Sequence, residues 1–146
     1  MDKLKKNKEF ILRYINAISG VIKTRELIDK YVVDQGLVEH ILFFEAAFPK
    51  YEMFIDEITA ESNRVVLRGR VKGKHEGSLN GIPPTHKSSE MPFSIGYEIE
   101  NEKIINHWMI VDQMILMEQL GVMGHPVWLI FCIRYNFSPW IIQKKE

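Results

Sequence analysis

Residues 103–121, KIINHWMIVDQMILMEQLG, change period part-way along, and that change decides the fold class. Up to Asp112 the chain alternates as a strand does. Ile104, Asn106, Trp108, Ile110 and Asp112 fall on one side of an extended chain, and Ile105, His107, Met109 and Val111 on the other. After Asp112 the apolar residues respace to Met114, Met117 and Leu120, the step of a helix face, and Gly121 suits its stop. Two readings of Asp112 stand side by side. Aspartate is a strong helix N-cap, because its side chain accepts a backbone N–H of the first turn. A carboxylate where a strand passes into a helix, with Trp108 behind it, is also a candidate reactive group at the mouth of an apolar cavity.

Outward from this stretch, the upstream chain keeps the period of two. Met91, Phe93, Ile95, Tyr97 and Ile99 share one face of a strand, and Asn101-Glu102 is a tight turn into the next. Residues 64–75, RVVLRGRVKGKH, form the clearest strand in the chain. Val65, Leu67, Gly69, Val71, Gly73 and His75 point one way and a basic row points the other. The basic row has no interleaved aromatics, so it reads as a solvated sheet face rather than a nucleic-acid surface. Residues 76–90, EGSLNGIPPTHKSSE, make the one long loop rich in Gly, Pro and Ser, of the kind that serves as a lid or subunit contact. YEMFIDEIT, from Tyr51, is a further strand.

Before Tyr51 the period is helical. Phe10, Ile11, Tyr14, Ile15, Ile18, Val21 and Ile22 form one wide apolar stripe. Thr24 caps a short second helix, Gln35-Gly36 breaks the pattern, and a third helix runs through LVEHILFFEAAF to Pro49. Leu37, Ile41, Phe44 and Phe48 lie on its inner side, with His40 on or beside them. Helices first and an antiparallel meander afterwards imply an α+β fold, the helices packed on one face of a curved sheet.

Composition narrows the function classes. The chain has 146 residues, the length of one domain, and its 19 basic and 19 acidic residues balance. That balance favours neither nucleic acid nor disorder. One cysteine excludes an internal disulfide, and the five histidines form no HExxH or His/Cys cluster, so no dedicated metal centre is expected. No secretory signal pattern opens the chain. The expectation is a soluble cytoplasmic protein without a membrane span. The apolar run from Val127 to Ile142 alternates, is interrupted by Arg134 and Pro139, and is too short to cross a bilayer. It is expected to be an ordered strand buried between subunits, in a homodimer, forming an extension (124–146) to a domain spanning 1–123.

Three segments carry a resemblance: HILFFEAAFPKYEMFIDEITAESNRVVLRGRVKGKHEG at 40–77, GIPPT at 81–85, and HWMIVDQMILMEQLG at 107–121. In this order and spacing they resemble the SnoaL-like polyketide cyclases, or ester cyclases, of the nuclear transport factor 2-like superfamily. The resemblance runs from about Asn7 to Val122. It implies a cone-shaped α+β barrel in which a strongly bent sheet wraps three helices and encloses one apolar pocket. It also implies an intramolecular aldol ring closure in which one aspartate serves as acid and base, with no metal or cofactor. That aspartate, in the family's His-Trp-x-x-x-Asp segment, falls on Asp112. The family's Gly-x-His-x-Gly falls on Gly73 to Gly77 and is complete. Two departures are His86, where glycine commonly follows GIPPT, and the tail from Gly124, where members usually stop.

The chemistry expected of such a site is proton abstraction next to a carbonyl, since a proton flanked by two carbonyls needs no strong base. Asp112 would take the proton and return it to the new hydroxyl. His40, His75 and His107 are candidates to hydrogen-bond carbonyl oxygens, with Trp108, Phe44 and Tyr97 as candidate lining for an apolar small-molecule ligand. His107 is the weakest of the three histidines, because strict alternation puts it opposite Asp112 unless a bulge intervenes. Two other functions remain open: a different cofactor-free isomerase or dehydratase in the same cone, and a non-catalytic module that binds an apolar small molecule or another subunit.

Overall fold

The computed structural model describes residues 2–123 and 141–143. Helix α1 (Lys3–Ile18) buries Phe10, Ile11, Tyr14, Ile15 and Ile18, but the expected stripe stops there: Val21 and Ile22 lie beyond the helix and are exposed. Helix α2 (Arg25–Asp29) starts at Thr24, whose hydroxyl accepts the Leu27 N–H at 3.2 Å. Helix α3 (Gln35–Ala47) begins earlier than the sequence pattern suggests. The expected break at Gln35-Gly36 is its first turn. Asp34 is the cap, and its Oδ1 accepts the Gly36 N–H at 3.0 Å, which offsets the poor helix propensity of glycine.

Strands β1 (Glu52–Glu61), β2 (Arg64–Lys74), β3 (Ser88–Glu100) and β4 (Lys103–Val111) pair antiparallel in chain order. Helix α4 (Gln113–Gln119) follows β4 directly. Asn101 and Glu102 join β3 to β4 with φ of 50° and 54°, the left-handed pair of a two-residue hairpin turn. Residues such as Val65 and Leu67 of β2 and Ile95 and Tyr97 of β3 face inward and meet α1 and α3 in one core. On the outer face Arg64 pairs with Glu98, Arg68 with Glu57, and Arg70 with both Asp56 and Glu90. The arginines of the basic row are therefore matched by carboxylates on neighbouring strands.

One irregularity corrects the alternation expected on β4. Ile99 pairs with Ile104 but Glu98 pairs with Asn106, so Ile105 is an extra residue in the ladder. A bulge of this kind bends the strand and changes which side chains turn inward. Ile104, His107, Met109 and Val111 are all buried, whereas Trp108 and Ile110 are 39% and 42% exposed on the outer face. The Trp108 indole lies over Gly96 so closely that a Cβ there would come within 2.2 Å of the indole nitrogen.

Strand β5 (Ile141–Gln143) extends the sheet, pairing antiparallel with β4 from Trp108 to Ile110. The expectation of a strand over Val127 to Ile142 otherwise falls outside the described residues, as does its burial between subunits. Among the described residues no helix is long and apolar enough to cross a membrane.

The Gly-x-His-x-Gly segment has a packing role. Glu76 and Gly77 both donate their N–H groups to the Ala47 carbonyl at the end of α3, at 3.0 and 3.1 Å. A Cβ on Gly77 would sit 1.9 Å from the Ala46 carbonyl oxygen, and one on Gly73 would crowd Phe48 and Tyr51. Gly77→Ala is expected to cost about 1–3 kcal/mol by overpacking against backbone. Urea unfolding measures it, and an unchanged midpoint would show that the loop does not bear on α3.

Candidate active site

Between α1, α3 and the inner face of the sheet lies a cavity of about 80 Å³. Its wall is largely apolar, with Ile18, Leu37, Ile41, Phe93 and Ile95 among the lining and Met53, Met91 and Met109 beside them. Three phenols, one imidazole and one amide supply the polarity: Tyr14, Tyr51, Tyr97, His40 and Gln113. No Asp, Glu, Lys or Arg is among the described lining residues. The volume is well below the roughly 300–1,000 Å³ of sites for drug-sized ligands. A ligand of several rings therefore requires the wall to move, and the three flexible methionines are the side chains best able to yield.

Burial sets the protonation states. It raises the phenols of Tyr14, Tyr51 and Tyr97 above their ordinary range, so each remains a hydrogen-bond donor at neutral pH. Tyr14 and Tyr97 meet edge to face at 5.8 Å and share a hydroxyl hydrogen bond. Burial also pushes the His40 imidazole down to about 4, with the nearby His107 adding to the shift. His40 is consequently neutral across the physiological range and keeps one lone pair. It stacks on Phe44, and Phe44 in turn stacks on Phe48 at 4.6 Å and meets Tyr51 edge to face at 5.1 Å.

The candidate residues divide into those the fold brings together and those it separates. His40, Phe44 and Tyr97 line the cavity. Trp108 does not: the bulge at Ile105 turns it to the outer face, which corrects its expected role as a wall for the ligand. His75 is fully buried but outside the lining. Its Nδ1 accepts the Thr85 N–H at 3.1 Å, its ring stacks on Phe48 at 5.2 Å, and so it fastens the GIPPT loop to α3. Burial lowers its pKa.

Asp112 caps α4, its Oδ1 accepting the Ile115 N–H at 3.1 Å. It is partly exposed. Its two sequence neighbours, Val111 and Gln113, line the cavity, and the Asp112 side chain itself is not part of the lining. The capping reading of Asp112 is thus visible directly.

His107 is buried on the inner face of β4, and its Nδ1 lies 2.7 Å from Asp34 Oδ2. Sequence reasoning missed Asp34, although its position before a helix is a cap signal. Gln113, Tyr14 and Tyr51 were also missed as polar lining, because tyrosines on an apolar stripe read as core. Backbone bonds place Asp34 beside β4: Val33 and Asp34 both donate to the Ile104 carbonyl, at 2.9 and 3.2 Å. Among the described residues no group of three His, Cys, Asp or Glu side chains could hold a metal ion.

Comparison with known proteins follows the same lines. AclR from Streptomyces galilaeus, a proposed hydroxylase, superposes with a TM-score of 0.71 at 21% identity, covering 92% of this chain and 94% of AclR. A proposed SnoaL-like polyketide cyclase from Jannaschia sp. CCS1 gives 0.71 at 17% identity, covering 83% and 97%. A proposed polyketide cyclase from Acidithiobacillus ferrooxidans gives 0.70 at 22% identity, covering 83% and 98%. At these identities the likeness establishes the fold, a cone-like α+β barrel. No curated protein sequence matches the chain. Residues 23–120 match the family model of the SnoaL-like polyketide cyclases, which spans every element from the α1–α2 connection to α4, and the chain belongs to that family.

Proposed function

We propose that this protein is a cofactor-free acid/base catalyst that closes a ring within a compact, neutral carbonyl compound held in the cavity. The observation that carries the reading is the lining: an apolar enclosure with a neutral imidazole, three protonated phenols and, among the described residues, no charged side chain. Such a lining favours an uncharged substrate and offers hydrogen-bond donors to carbonyl oxygens. In the step, a base removes a proton from a carbon flanked by two carbonyls. The resulting enolate carbon attacks a second carbonyl carbon of the same molecule, one C–C bond forms, and the electron pair of that C=O moves onto oxygen. The oxygen then takes the proton back, so no oxidant or reductant is consumed. The phenols stabilise the enolate and alkoxide oxygens as charge develops, and the enclosure supplies orientation.

Asp112 is assigned as the acid/base, by family resemblance and because its Oδ2 is not engaged by the cap. A second assignment, to His40, is favoured by the position of its ring in the cavity wall. Substitution separates the two assignments. With linear 1,3-diketones bearing a further carbonyl as substrates, Asp112→Asn is expected to lower kcat by about 10²-fold or more, and His40→Asn to raise KM. The reverse pattern gives the base to His40. Turnover unaffected by either substitution would end the catalytic reading and leave a small-molecule binder.

A further inference from the structure

We propose that Gln113 is the specificity-determining residue of the cavity, its amide oxygen accepting a hydrogen bond from a hydroxyl group of the bound molecule. The substrate class narrows accordingly, to compact carbonyl compounds that also carry a free hydroxyl. This deepens the reading above, since it rests on the cavity being the place where the substrate is held.

Gln113 is the first residue of α4, and together with Val111 and Leu116 it forms the β4–α4 end of the cavity wall. Phe93, which pairs with Val111 across the sheet, lines the cavity as well. Gln113 is only 7% exposed, and its Oε1 is buried without a hydrogen-bond partner among the described residues. Of the buried polar atoms left unpaired among those residues, Gln113 Oε1 alone belongs to the cavity lining. An amide oxygen in an apolar enclosure costs stability unless a donor meets it. Leucine or methionine would fill the same position, suits a helix equally well and leaves no acceptor to satisfy. A donor on the ligand accounts for the glutamine.

The phenols of Tyr14, Tyr51 and Tyr97 stay protonated and serve carbonyl oxygens. Gln113 adds the complementary group, an acceptor that does not titrate. Water can serve Oε1 while no ligand is held. A molecule that displaces this water must bring its own donor, or it strands the acceptor. The penalty falls on the analogue that lacks the hydroxyl, even when that analogue fits the volume. The enol O–H of a 1,3-diketone is already closed onto its neighbouring carbonyl, so the hydroxyl taken by Gln113 is an additional one. A bond to Oε1 places the hydroxyl-bearing end of the molecule at the β4–α4 end, where Asp112 caps the helix.

Phenol and toluene, alike in size and differing by one hydroxyl, are suitable probes. Their affinities are read by NMR titration of the methyl signals of the cavity-lining Met53, Met91 and Met109. Gln113→Leu keeps the bulk and helix preference of the side chain and removes the acceptor. In that variant the ratio of phenol to toluene affinity is expected to fall by about 10–100-fold, through weaker phenol binding. Its melting temperature is expected to be unchanged or raised, because no bond to Oε1 within the protein is lost. A second measurement needs no variant. In the wild-type protein, the carbon-13 signal of the Gln113 side-chain carbonyl is expected to move with phenol and much less with toluene.

An affinity ratio unchanged by Gln113→Leu, a lowered melting temperature, or equal responses of the Gln113 carbonyl to the two probes would overturn the proposal. So would methionine signals that neither probe moves up to its solubility. All of these measurements are made without turnover. Failure to detect ring closure therefore refutes the function above and leaves the role of Gln113 standing. Conversely, Asp112-dependent turnover alongside an unchanged affinity ratio refutes only the role of Gln113.

Discussion

Glu45→Gln is expected to lower the folding free energy by about 3–5 kcal/mol, the loss found when one partner of a buried ion pair is removed. Lys23 is the reason. Its side chain is 0% exposed, and its Nζ donates to Glu45 Oε2 at 3.1 Å, to the Tyr51 carbonyl at 2.9 Å and to the Val21 carbonyl at 3.1 Å. The ammonium also sits 3.7 Å from the centre of the Tyr51 ring. Burial pulls the Lys23 pKa down while Glu45 opposes that shift. Without the Glu45 charge, a cation stays in the core with only neutral acceptors.

Glu45 has a second task, since its Oε1 accepts the Lys50 N–H at 2.9 Å where α3 passes into β1. The pair thus ties the α1–α2 connection to the end of α3 and to Tyr51, a cavity-lining residue. At this chain length the loss corresponds to roughly 10–15 °C in melting temperature. Lys23→Met combined with Glu45→Gln should recover most of it, because the buried charge is gone with its partner. Calorimetry of the two single variants and the double variant makes the test. A double variant no better than the sum of the singles would mean that packing, not charge, carries the effect.

Acid should destabilise the protein well before its carboxylates titrate. His40 and His75 both have depressed pKa values in the folded chain, through burial first. A histidine held neutral in the fold binds a proton more readily when unfolded. Its stabilisation is therefore complete above the unfolded value of about 6.5 and is lost as pH falls toward the folded value. For His40 the window closes at about 4. A difference of that size, at about 1.4 kcal/mol per pH unit, corresponds to at most about 3.5 kcal/mol. Urea midpoints measured from pH 7.5 down to pH 4.5 should fall steadily, and His40→Asn should flatten the slope. An equal slope in the variant would place the lost protons elsewhere.

Much of this molecule was legible in its residues because the signals are local. The strand-to-helix change at Asp112, the stripe on α1, the alternation of β2 and β3 and the turn at Asn101-Glu102 each depend on residues within one or two turns of one another. Side-chain period and turn chemistry act over that range, so helices, meander and core followed. The inner position of Phe44 and Tyr97 followed too.

What the tertiary structure decided lies between distant residues or depends on a single extra one. Ile105 adds one residue to β4, and a shift of one residue exchanges faces; that sends Trp108 outward and His107 inward. No periodic pattern announces a bulge. Asp34 reaches His107 across 73 residues of sequence, and Lys23 reaches Glu45 across 22. Both pairs exist because backbone bonds and helix packing bring separate elements to one place. His75 read as an inward residue, yet whether it met a ligand or a loop depended on Thr85 folding back over it. Local sequence determined which elements form and which faces are apolar. The contents of the cavity were decided by register and by long-range contact, since proximity in the fold is not proximity in the chain.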